Sequence, residues 1–451
     1  MPPTSPLLPI AADHPGSLSA ELTTIAGREV VLVGIAGGER RGALTEADGH
    51  TFAAAALHAL DAGLPLLGVM ASSGADVHDG VAALHGWGRA AAALARCSGR
   101  VPVLLAATGP VLSGPALLLG LADQVVMTED AYAFVSGPRM VETYTGERLE
   151  AAELGGAGVH AAGTGVATLV VPDHDTALDA LSDLLAYLPS AVDEEPPRWW
   201  TDDPVDRATP EAGECIPASP TGGYDVRDVA AAIVDHGELL ELRARWAPNL
   251  VTALATIGGR PVGIVANQPV SIAGTLDIPA SQKGARFVAF CDAFGIPLLT
   301  LIDTPGFYPG KDLEWRGMIR YGGQLAFAYA RATVPRVAVV LRKAYGGAYI
   351  VMDCRTMGSD LYLAWPSAEI AVMGAKGAVE ILHRRESPER RAELEADYDR
   401  RFLNPYVAAD RGSVDMVIHP ADTRREVAAA FELLSTKQER LVRRKHDNTP
   451  L

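Results

Sequence analysis

The chain has 451 residues, of which 48% are hydrophobic and 21% charged, a composition typical of a soluble globular protein long enough for two domains. Its formal net charge of −16 argues against nucleic acid as a partner and against a polybasic patch that binds membranes. The four cysteines lie far apart and form no CxxC pair, so we expect reduced, mostly buried thiols and no zinc or other metal site in this chain.

The N-terminal stretch, MPPTSPLLPIAADHPGS, contains no basic segment and only a short apolar run. A secretory signal peptide needs both a basic start and a longer apolar core, so we expect none here. With reduced thiols and no leader, the sequence predicts a cytoplasmic protein.

Strand and helix patterns alternate through the first part of the chain. Residues 28–35, REVVLVGI, form a short β-branched run that predicts a strand. Residues 51–63, TFAAAALHALDAG, have helical spacing and end at a glycine suited to a C-cap. Such alternation predicts an α/β fold with a mostly parallel sheet and helices outside it.

A long apolar segment, residues 101–122, is uncharged and long enough to resemble a membrane span. Its sequence, VPVLLAATGPVLSGPALLLGLA, is interrupted by Gly-Pro pairs at 109–110 and 114–115, and each proline removes a backbone donor. We therefore predict a buried strand, a tight turn and a buried helix, and no contact with membrane.

Residues 193–223 are rich in proline, glycine and charge and show no sustained periodicity, so we predict a linker there. It would separate an N-terminal domain, residues 1–192, from a C-terminal domain, residues 224–451. The second domain repeats the alternation, with strand patterns RPVGIVAN and IPLLTLID and the helix pattern SQKGARFVAFCDAFG.

The two domains are copies of one another. TIAGREVVLV matches TIGGRPVGIV, AGLPLL matches FGIPLL, and two further short matches follow in the same order. The aligned pairs are Thr24 with Thr256, Gly63 with Gly295, Pro102 with Pro335 and Gly137 with Gly374, at offsets of 232, 232, 233 and 237. A slowly drifting offset over four matches predicts an internal duplication. The copies would provide either two facing half-sites or a duplicated scaffold without a site.

Small residues occupy the same turn in both copies. With the offset of 233, residues 346–348 of RKAYGGAYIVM fall on residues 113–115, Ser-Gly-Pro. A small-residue turn between a strand and a helix exposes backbone N–H groups that stabilise an oxyanion, each by about 3 kcal/mol in a transition state. Close packing of helix on strand also favours glycine, but its recurrence at equivalent positions favours a functional role.

Other catalytic motifs are missing. DTPGF, residues 303–307, resembles the DxxG element of GTPases, but no GxxxxGK[ST] loop accompanies it. No GxSxG or HExxH occurs, and residues 383–401 form a mixed-charge run that predicts a solvated helix. No side-chain acid or base stands out, which leaves backbone chemistry at the two turns.

The second copy closely resembles the carboxyltransferase (β) subunits of biotin-dependent acyl-CoA carboxylases of the propionyl-CoA and acetyl-CoA carboxylase type. Five stretches carry the resemblance, namely PVGIVANQPVSIAGTLDIPASQKGARFVAFCDAFGIPLLTLIDTPGF, RKAYGGAYIVM, AWPSAEIAVMGAKGAVEIL, NPYVAADRG and the tail from HPADTRREV to KHDNTPL. The first copy matches more loosely, through GVAALHGWGR and LLAYLPS. The resemblance implies two tandem crotonase-like domains of the ClpP/crotonase superfamily.

The resemblance also implies the chemistry, which is transfer of a carboxyl group from carboxybiotin to the α-carbon of a short-chain acyl-CoA. Ser113 and Gly114 would serve the thioester oxygen, and Gly347 and Ala348, with Gly346 in the same turn, would serve biotin. Biotin without its carboxyl group would take the α-proton, so no side-chain base is needed. By the same resemblance, the acyl-CoA would contact Gly42, Ala43, Ser73, Gly74, Ala75, Gly137 and Ile350, and biotin would contact Gly306, Phe307, Tyr349 and Gly374.

Partners follow from the same resemblance. The chain carries no AMKM-like lysine motif and no ATP-binding glycine loop, so a separate α subunit would provide biotin carboxylase and the biotin carrier. A hexamer built as a trimer of dimers is implied, formed from this chain alone or mixed with other β subunits.

The first copy departs from the family pattern. The family has DSGGARIQEG where this chain has ASSGADVHDG, residues 71–80, so Asp76 replaces a basic residue in the domain expected to hold the CoA phosphates. An acidic residue there lowers the attraction for phosphate. Two alternatives therefore remain open, a biotin-independent decarboxylase of a malonyl-type thioester and a non-catalytic subunit of a carboxylase complex.

Overall fold

The computed structural model describes residues 5–6, 16–35, 40–439 and 441–450, so most of the N-terminal stretch considered for a signal peptide lies outside it. Two compact units divide the described residues, the first ending at Pro197 and the second beginning at Arg198. The segment predicted as a linker, residues 193–223, spans that boundary, and its part from Arg198 onward belongs to the second unit.

The first unit contains eight strands and seven α-helices among its described residues. The strands are β1 Ser5–Pro6, β2 Leu18–Ile25, β3 Arg28–Ile35, β4 Leu66–Ser72, β5 Val103–Leu112, β6 Gln124–Thr128, β7 Tyr132–Phe134 and β8 Leu169–Val171. The helices are α1 Glu46–Ala62, α2 Val81–Cys97, α3 Leu117–Leu121, α4 Pro138–Thr145, α5 Ala151–Gly155, α6 Ala157–Val159 and α7 His174–Ala186. Short 3₁₀ turns cover Val77–Asp79 and Gly114–Ala116, and a π-helical turn covers His160–Thr164.

The second unit has eight described strands and ten α-helices. The strands are β9 Leu240–Glu241, β10 Leu250–Ile257, β11 Arg260–Asn267, β12 Leu298–Thr304, β13 Arg336–Tyr345, β14 Leu361–Ala364, β15 Glu369–Ala371 and β16 Met416–Val417. The helices are α8 Pro210–Glu214, α9 Val226–Ile233, α10 Ile278–Ala293, α11 Lys311–Trp315, α12 Met318–Arg331, α13 Gly346–Val351, α14 Ala375–Leu382, α15 Pro388–Phe402, α16 Pro405–Asp410 and α17 Thr423–Leu433.

The two sheets have the same topology. The first runs β1-β2-β3-β4-β5-β6-β8 with β7 added to β5, and the second runs β9-β10-β11-β12-β13-β14-β16 with β15 added to β13. The first three strands of each sheet pair antiparallel, and the other pairings are parallel. A register shift occurs between Met70 and Ser72 and again between Ile302 and Thr304, which are matching positions at the offset of 232. The predicted duplication and mostly parallel sheets are confirmed.

Strong local signals explain the elements that sequence patterns predicted. β3 and β11 coincide with REVVLVGI and RPVGIVAN, whose β-branched residues fit a pleated, buried surface. α1 begins earlier than its apolar pattern because Thr45 and Asp48 form a capping box, and it ends at Gly63, which has φ +66°.

Helix α1 packs closely on α2 through paired glycines. A Cβ atom on Gly49 would lie 2.1 Å from the Gly86 carbonyl carbon, a distance that no side chain tolerates. Glycine at this crossing therefore permits backbone-to-backbone contact and fixes the helix pair over the sheet.

The apolar segment 101–122 folds as predicted, as strand β5, a 3₁₀ turn at Gly114–Ala116 and helix α3. Most of its side chains are buried in the core of the first unit. Across the described part of the chain, no helix combines the length and apolar character needed to span a bilayer.

Candidate active site

The second glycine turn lies where buried strand β13 enters helix α13. Gly346 has φ +59°, a conformation that residues with a side chain rarely adopt, and it begins the helix. Gly347 is exposed and Ala348 is fully buried. Because the first N–H groups of a helix have no partner within it, this turn presents backbone donors at the surface of the unit.

A cavity of 730 Å³ opens beside this turn, all within the second unit. Its wall includes four residues predicted for the site, which are Gly346, Gly347, Tyr349 and Ile350. Ile350 remains 38% exposed, so its apolar side chain is available to a ligand.

The rest of the cavity wall was missed by sequence reasoning. Tyr398 and Phe402 come from α15, which the charge pattern predicted as a solvated helix, and Arg411 follows α16. The remaining lining residues are Ile370, Ala371, Val372, Leu382, Val407, Ala408 and Ser413. These two aromatic residues lie at positions i and i+4 of α15, with ring centres 5.0 Å apart and planes tilted by 51°. They were the signal that the charged residues obscured.

Phe307 and Gly306 reach the same turn from the loop after β12. A Cβ atom on Gly347 would lie 3.4 Å from Cε2 of Phe307, so the ring rests against the glycine. The loop is held by Leu276, whose carbonyl accepts from the Tyr308 N–H at 2.9 Å and whose N–H donates to the Gly306 carbonyl at 3.1 Å. The structure thus gathers these two residues, predicted to contact biotin, around the turn.

Gly374 also approaches the turn, because Cε2 of Tyr345 lies 3.4 Å from the position of a Cβ on that glycine. The Tyr345 hydroxyl donates to the Glu369 carboxylate. Burial, together with this acceptor, raises the pKa of Tyr345 well above its usual value, so the hydroxyl stays protonated. On the other side of the turn, burial raises the pKa of Tyr349 to about 12.

The matching turn of the first unit follows β5. Ser113 has φ +61° and ψ −145°, close to the φ of Gly346, although serine carries a side chain. The Ser113 N–H donates to the Phe134 carbonyl at 2.9 Å, and Pro115 has no N–H. Ser113 and Gly114 were the predicted donors at this turn. Because the Ser113 N–H is already bonded, the Gly114 N–H is the one available to a ligand.

Gly114 packs against Trp87 of α2, a contact that sequence reasoning missed. A Cβ atom on Gly114 would lie 2.6 Å from Cε2 of Trp87, so no larger residue fits. The indole Nε1 of Trp87 is buried and has no hydrogen-bond partner among the described residues. Trp87 lies within GVAALHGWGR, which matches the family, but its contact with the turn depends on how α2 crosses it, which that stretch does not specify.

The residues predicted to contact acyl-CoA in the first unit form two neighbouring segments. Their backbones are joined because Leu44 N–H donates to the Gly74 carbonyl at 2.8 Å and Ser73 N–H donates to the Arg41 carbonyl at 3.0 Å. A Cβ atom on Gly74 would lie 3.1 Å from the Ser113 Cβ. A Cβ atom on Gly42 would lie 2.0 Å from the Ala71 carbonyl oxygen. The structure therefore brings Gly42, Ala43, Ser73, Gly74 and Ala75 next to the first turn.

Gly137 lies beyond β7 and caps helix α4. A Cβ atom there would lie 3.3 Å from Cε2 of Phe134, whose carbonyl binds Ser113. This glycine is thus linked to the first turn through a single residue.

Asp76, which replaces a basic residue of the family pattern, is 3% exposed and paired. Its Oδ2 accepts from Arg40 Nη1 at 2.7 Å, and its Oδ1 accepts from the His78 N–H at 2.8 Å. Burial alone raises a carboxyl pKa, but these hydrogen bonds outweigh it and hold the pKa of Asp76 below its usual value. The negative charge is therefore balanced locally, which weakens the repulsion expected for CoA phosphates.

Metal ligands and reactive thiols do not stand out in the described residues. No group of three His, Cys, Asp or Glu side chains among them is placed to hold a metal ion. Cys97, Cys291 and Cys354 are buried free thiols, and Cys215 is partly buried. Burial raises the pKa of Cys97 to about 11, which leaves that thiol unreactive.

Comparison with known proteins decides the family. A model of the carboxyl transferase domain matches residues 14–449. This chain belongs to the carboxyl transferase family. The carboxyl transferase is 45% identical to the propionyl-CoA carboxylase beta chain of Roseobacter denitrificans, over 87% of this chain and 78% of that relative. It is 40% identical to the methylmalonyl-CoA decarboxylase subunit alpha of Propionigenium modestum, over 86% of this chain and 77% of that relative.

A solved structure gives the same assignment. The carboxyl transferase superposes on a crystal structure of transcarboxylase 12S with a TM-score of 0.95 and 43% identity, over 96% of this chain and 85% of that one. That structure is described as a hexamer with methylmalonyl-coenzyme A and methylmalonic acid bound. The family resemblance and the fold class, two tandem crotonase-like α/β domains, are confirmed.

Proposed function

We propose that this carboxyl transferase moves a carboxyl group between carboxybiotin, held on a separate carrier subunit, and the α-carbon of a short-chain acyl-CoA. The observation that carries the proposal is the repeated turn, since Gly346–Gly347 and Ser113–Gly114 occupy matching positions in two copies of one fold. Two turns of backbone donors suit a reaction with two oxyanions, one on the thioester enolate and one on the ureido group.

The second unit is the one proposed to bind biotin. Its cavity of 730 Å³ has a mostly apolar wall that includes Gly346 and Gly347, and the Phe307 ring lies against Gly347. A bicyclic ligand with one polar ureido oxygen requires this combination. Biotin supplies the carboxyl group and then accepts the α-proton, which explains why no side-chain base was found.

The first unit would hold the thioester. The Gly114 N–H is the donor proposed for the thioester oxygen, with Gly42, Ala43, Ser73, Gly74, Ala75 and Gly137 near the acyl-CoA. Ile350, on the cavity wall of the second unit, is proposed to contact the acyl group and to favour a short apolar one, since one relative is named for propionyl-CoA.

A subunit that supplies biotin carboxylase and the biotin carrier would be the partner, and acyl-CoA the substrate. We infer a homo-oligomer, a hexamer arranged as a trimer of dimers, on the precedent of the transcarboxylase 12S hexamer. Mixed assembly with other β subunits and a cytoplasmic location belong to the same proposal.

Decarboxylation of a malonyl-type thioester is a second candidate, because one relative is named a methylmalonyl-CoA decarboxylase subunit. It would use the same donors to stabilise the enolate left when the carboxyl group departs. The two functions differ in whether free biotin is required.

The test is the reverse reaction, in which purified protein, methylmalonyl-CoA or malonyl-CoA, and free biotin are combined and the decarboxylated acyl-CoA is measured by chromatography. We expect product that depends on biotin. Product at the same rate without biotin would establish the decarboxylase. If neither product nor CoA binding is detected, both catalytic proposals fail for the isolated chain and a non-catalytic role is left.

A further inference from the structure

A buried polar cluster lies beneath the second turn. Asp303, Arg342 and Tyr224 are 1%, 7% and 6% exposed. Asp303 Oδ2 accepts from the Tyr224 hydroxyl at 2.9 Å and from Arg342 Nε at 3.0 Å, and Oδ1 accepts from the Lys343 N–H at 3.0 Å. A buried carboxylate is tolerated because its charge is paired and both of its oxygens are hydrogen-bonded.

The cluster joins the ends of two strands that lead into the site. Asp303 is near the end of β12, and the loop that follows carries Phe307. Arg342 is near the end of β13, and the Gly346–Gly347 turn follows it. One carboxylate thus holds both strand ends, and with them the Phe307 ring at its contact with Gly347.

The side chains of Arg342 and Lys343 bind the segment that precedes α9. Arg342 Nη1 donates to the carbonyls of Gly222 at 2.9 Å and Ser219 at 3.3 Å. Lys343 Nζ donates to the Pro220 carbonyl at 2.6 Å. The guanidinium of Arg342 also lies 5.2 Å from the centre of the Tyr224 ring. Residues 219–224 are therefore fastened to the back of β13.

The three side chains act from outside the cavity, because none of them is among the residues of its wall. Burial, and then the neighbouring Asp303 carboxylate, raise the pKa of Tyr224 far above its usual value. The hydroxyl therefore stays protonated near neutral pH and donates to Asp303. Three hydrogen bonds, from Tyr224, Arg342 and the Lys343 N–H, hold the carboxylate in this orientation.

We propose that Asp303, Arg342 and Tyr224 are positioning residues that set the gap between Phe307 and Gly347 and thereby the fit of biotin, an inference that rests on the proposed function. Removal of the Tyr224 hydroxyl takes one of the two side-chain donors from Asp303 Oδ2. The ends of β12 and β13 then gain freedom, and the loop carrying Phe307 moves relative to the turn.

The test compares Tyr224→Phe with the unaltered protein in the reverse reaction, with the concentrations of free biotin and acyl-CoA varied separately. We expect kcat/KM for biotin to fall about tenfold to 100-fold, the effect of one lost hydrogen bond to a charged group. The KM for acyl-CoA stays within about twofold, because none of the described residues proposed to contact acyl-CoA is hydrogen-bonded to the cluster. Equal losses for both substrates, or no loss, would overturn the proposal.

Tyr329→Phe is the matched control. Tyr329 is fully buried in the same unit, and its hydroxyl is 3.0 Å from the Thr300 hydroxyl, but it contacts no member of the cluster. We expect a similar decrease in thermal stability in both variants and a change in kcat/KM for biotin only in Tyr224→Phe. An equal decrease in kcat/KM for biotin in Tyr329→Phe would show that the cluster contributes only to the stability of the unit and does not position the site.

A crystal structure of Tyr224→Phe separates this inference from the proposed function. A change in the distance between the Phe307 ring and Gly347, with β13 otherwise unchanged, supports positioning even if no turnover is found in the unaltered protein. An unchanged distance contradicts positioning. Absence of biotin-dependent turnover in the unaltered protein, in contrast, contradicts the proposed function and leaves the structural comparison valid.

Discussion

Ser113 has a positive φ, as glycine has at the matching position, Gly346, of the second unit. Its φ of +61° and ψ of −145° lie in a region that a Cβ atom makes unfavourable, at a cost of about 1–3 kcal/mol. Its N–H bond to the Phe134 carbonyl, at 2.9 Å, is one of the contacts that keep it there. Strain at this position is consistent with a turn whose shape is required for function.

Replacing Ser113 by glycine should therefore stabilise the first unit. We expect Ser113→Gly to raise the free energy of unfolding by about 1 kcal/mol. The substitution removes the strain that the Cβ atom causes in the folded state, and this gain exceeds the cost of the greater conformational entropy that glycine gives the unfolded chain. Thermal unfolding followed by calorimetry measures it. Ser73→Gly is the control, since Ser73 is not among the residues with positive φ and the same change there should destabilise.

The sequence predicted the small residue at this turn but not its strain. The alignment of residues 113–115 with 346–348 was visible, as was the proline that removes a donor. The sign of φ and the bond of the Ser113 N–H to Phe134 depend on how β7 adds to β5, which no local pattern specifies. The pairing of Asp76 with Arg40 was likewise unpredictable, because it joins residues 36 positions apart.

Helix α17 is tied to the second unit by a fully buried arginine. Arg424 donates to Asp235 Oδ1 at 2.6 Å, to the Ile233 carbonyl at 2.8 Å and to the Pro204 carbonyl at 2.9 Å. Asp235 in turn accepts from the N–H groups of Gly258 and Gly259, at the turn between β10 and β11. The helix, the sheet and the segment after Arg198 thus meet at one ion pair.

Loss of this arginine should destabilise the second unit strongly. We expect Arg424→Met to lower the free energy of unfolding by about 3–5 kcal/mol, because Asp235 is left buried without its cation. Arg425→Met, one residue along on the exposed face, should change it by about 0.5 kcal/mol or less. Urea unfolding of both variants gives the comparison, and equal effects would contradict the assigned role of Arg424.

Low pH should lower the stability of the second unit near Arg424, where Asp203 lies 3.6 Å from the guanidinium. The hydrogen bonds from Arg207 hold the pKa of Asp203 at about 2, below its usual value, so ionised Asp203 stabilises the folded state above about pH 4. That stabilisation is lost as the pH falls from about 4 toward 2, and Asp203→Asn should flatten this part of the pH dependence of unfolding. An unchanged slope in the variant would show that the pKa of Asp203 is not lowered.

Elements with strong local signals were predicted and others were not. β3 and β11 matched their apolar runs because polar residues or turns bound both ends. Helix α15 was predicted as a helix, but its cavity-facing residues were not recognised, because charges on its other faces dominate the pattern. The attachment of residues 219–222 to β13 rests on backbone carbonyls, which carry no sequence signal.

The duplication organises the whole chain. Matching strand orders and a register shift at the same position in both units show that one fold was copied, and the two turns follow from it. The copies then diverged, since Gly346 is matched by Ser113 and Ala348 by Pro115. The family was accessible from sequence because long stretches of the second copy match it. The cavity shape was not, because five separate elements build its wall.

The most direct measurement of the two-turn chemistry is biotin-dependent loss of the carboxyl group from methylmalonyl-CoA by Gly347→Val. Gly347 follows the positive-φ glycine and has an ordinary φ itself, so valine adds bulk beside Phe307 without the strain of a left-handed backbone. Gly323→Val is the control, because Gly323 lies within α12 with no atom within 4 Å of its Cβ position.

We expect the rate of Gly347→Val to fall by about 100-fold or more, because the valine side chain keeps the reacting oxygen away from the backbone N–H groups, with an effect as large as the loss of an oxyanion donor. CoA binding is retained, and Gly323→Val remains within about threefold of the unaltered protein. Undiminished turnover in Gly347→Val would contradict a role for the second turn in binding biotin.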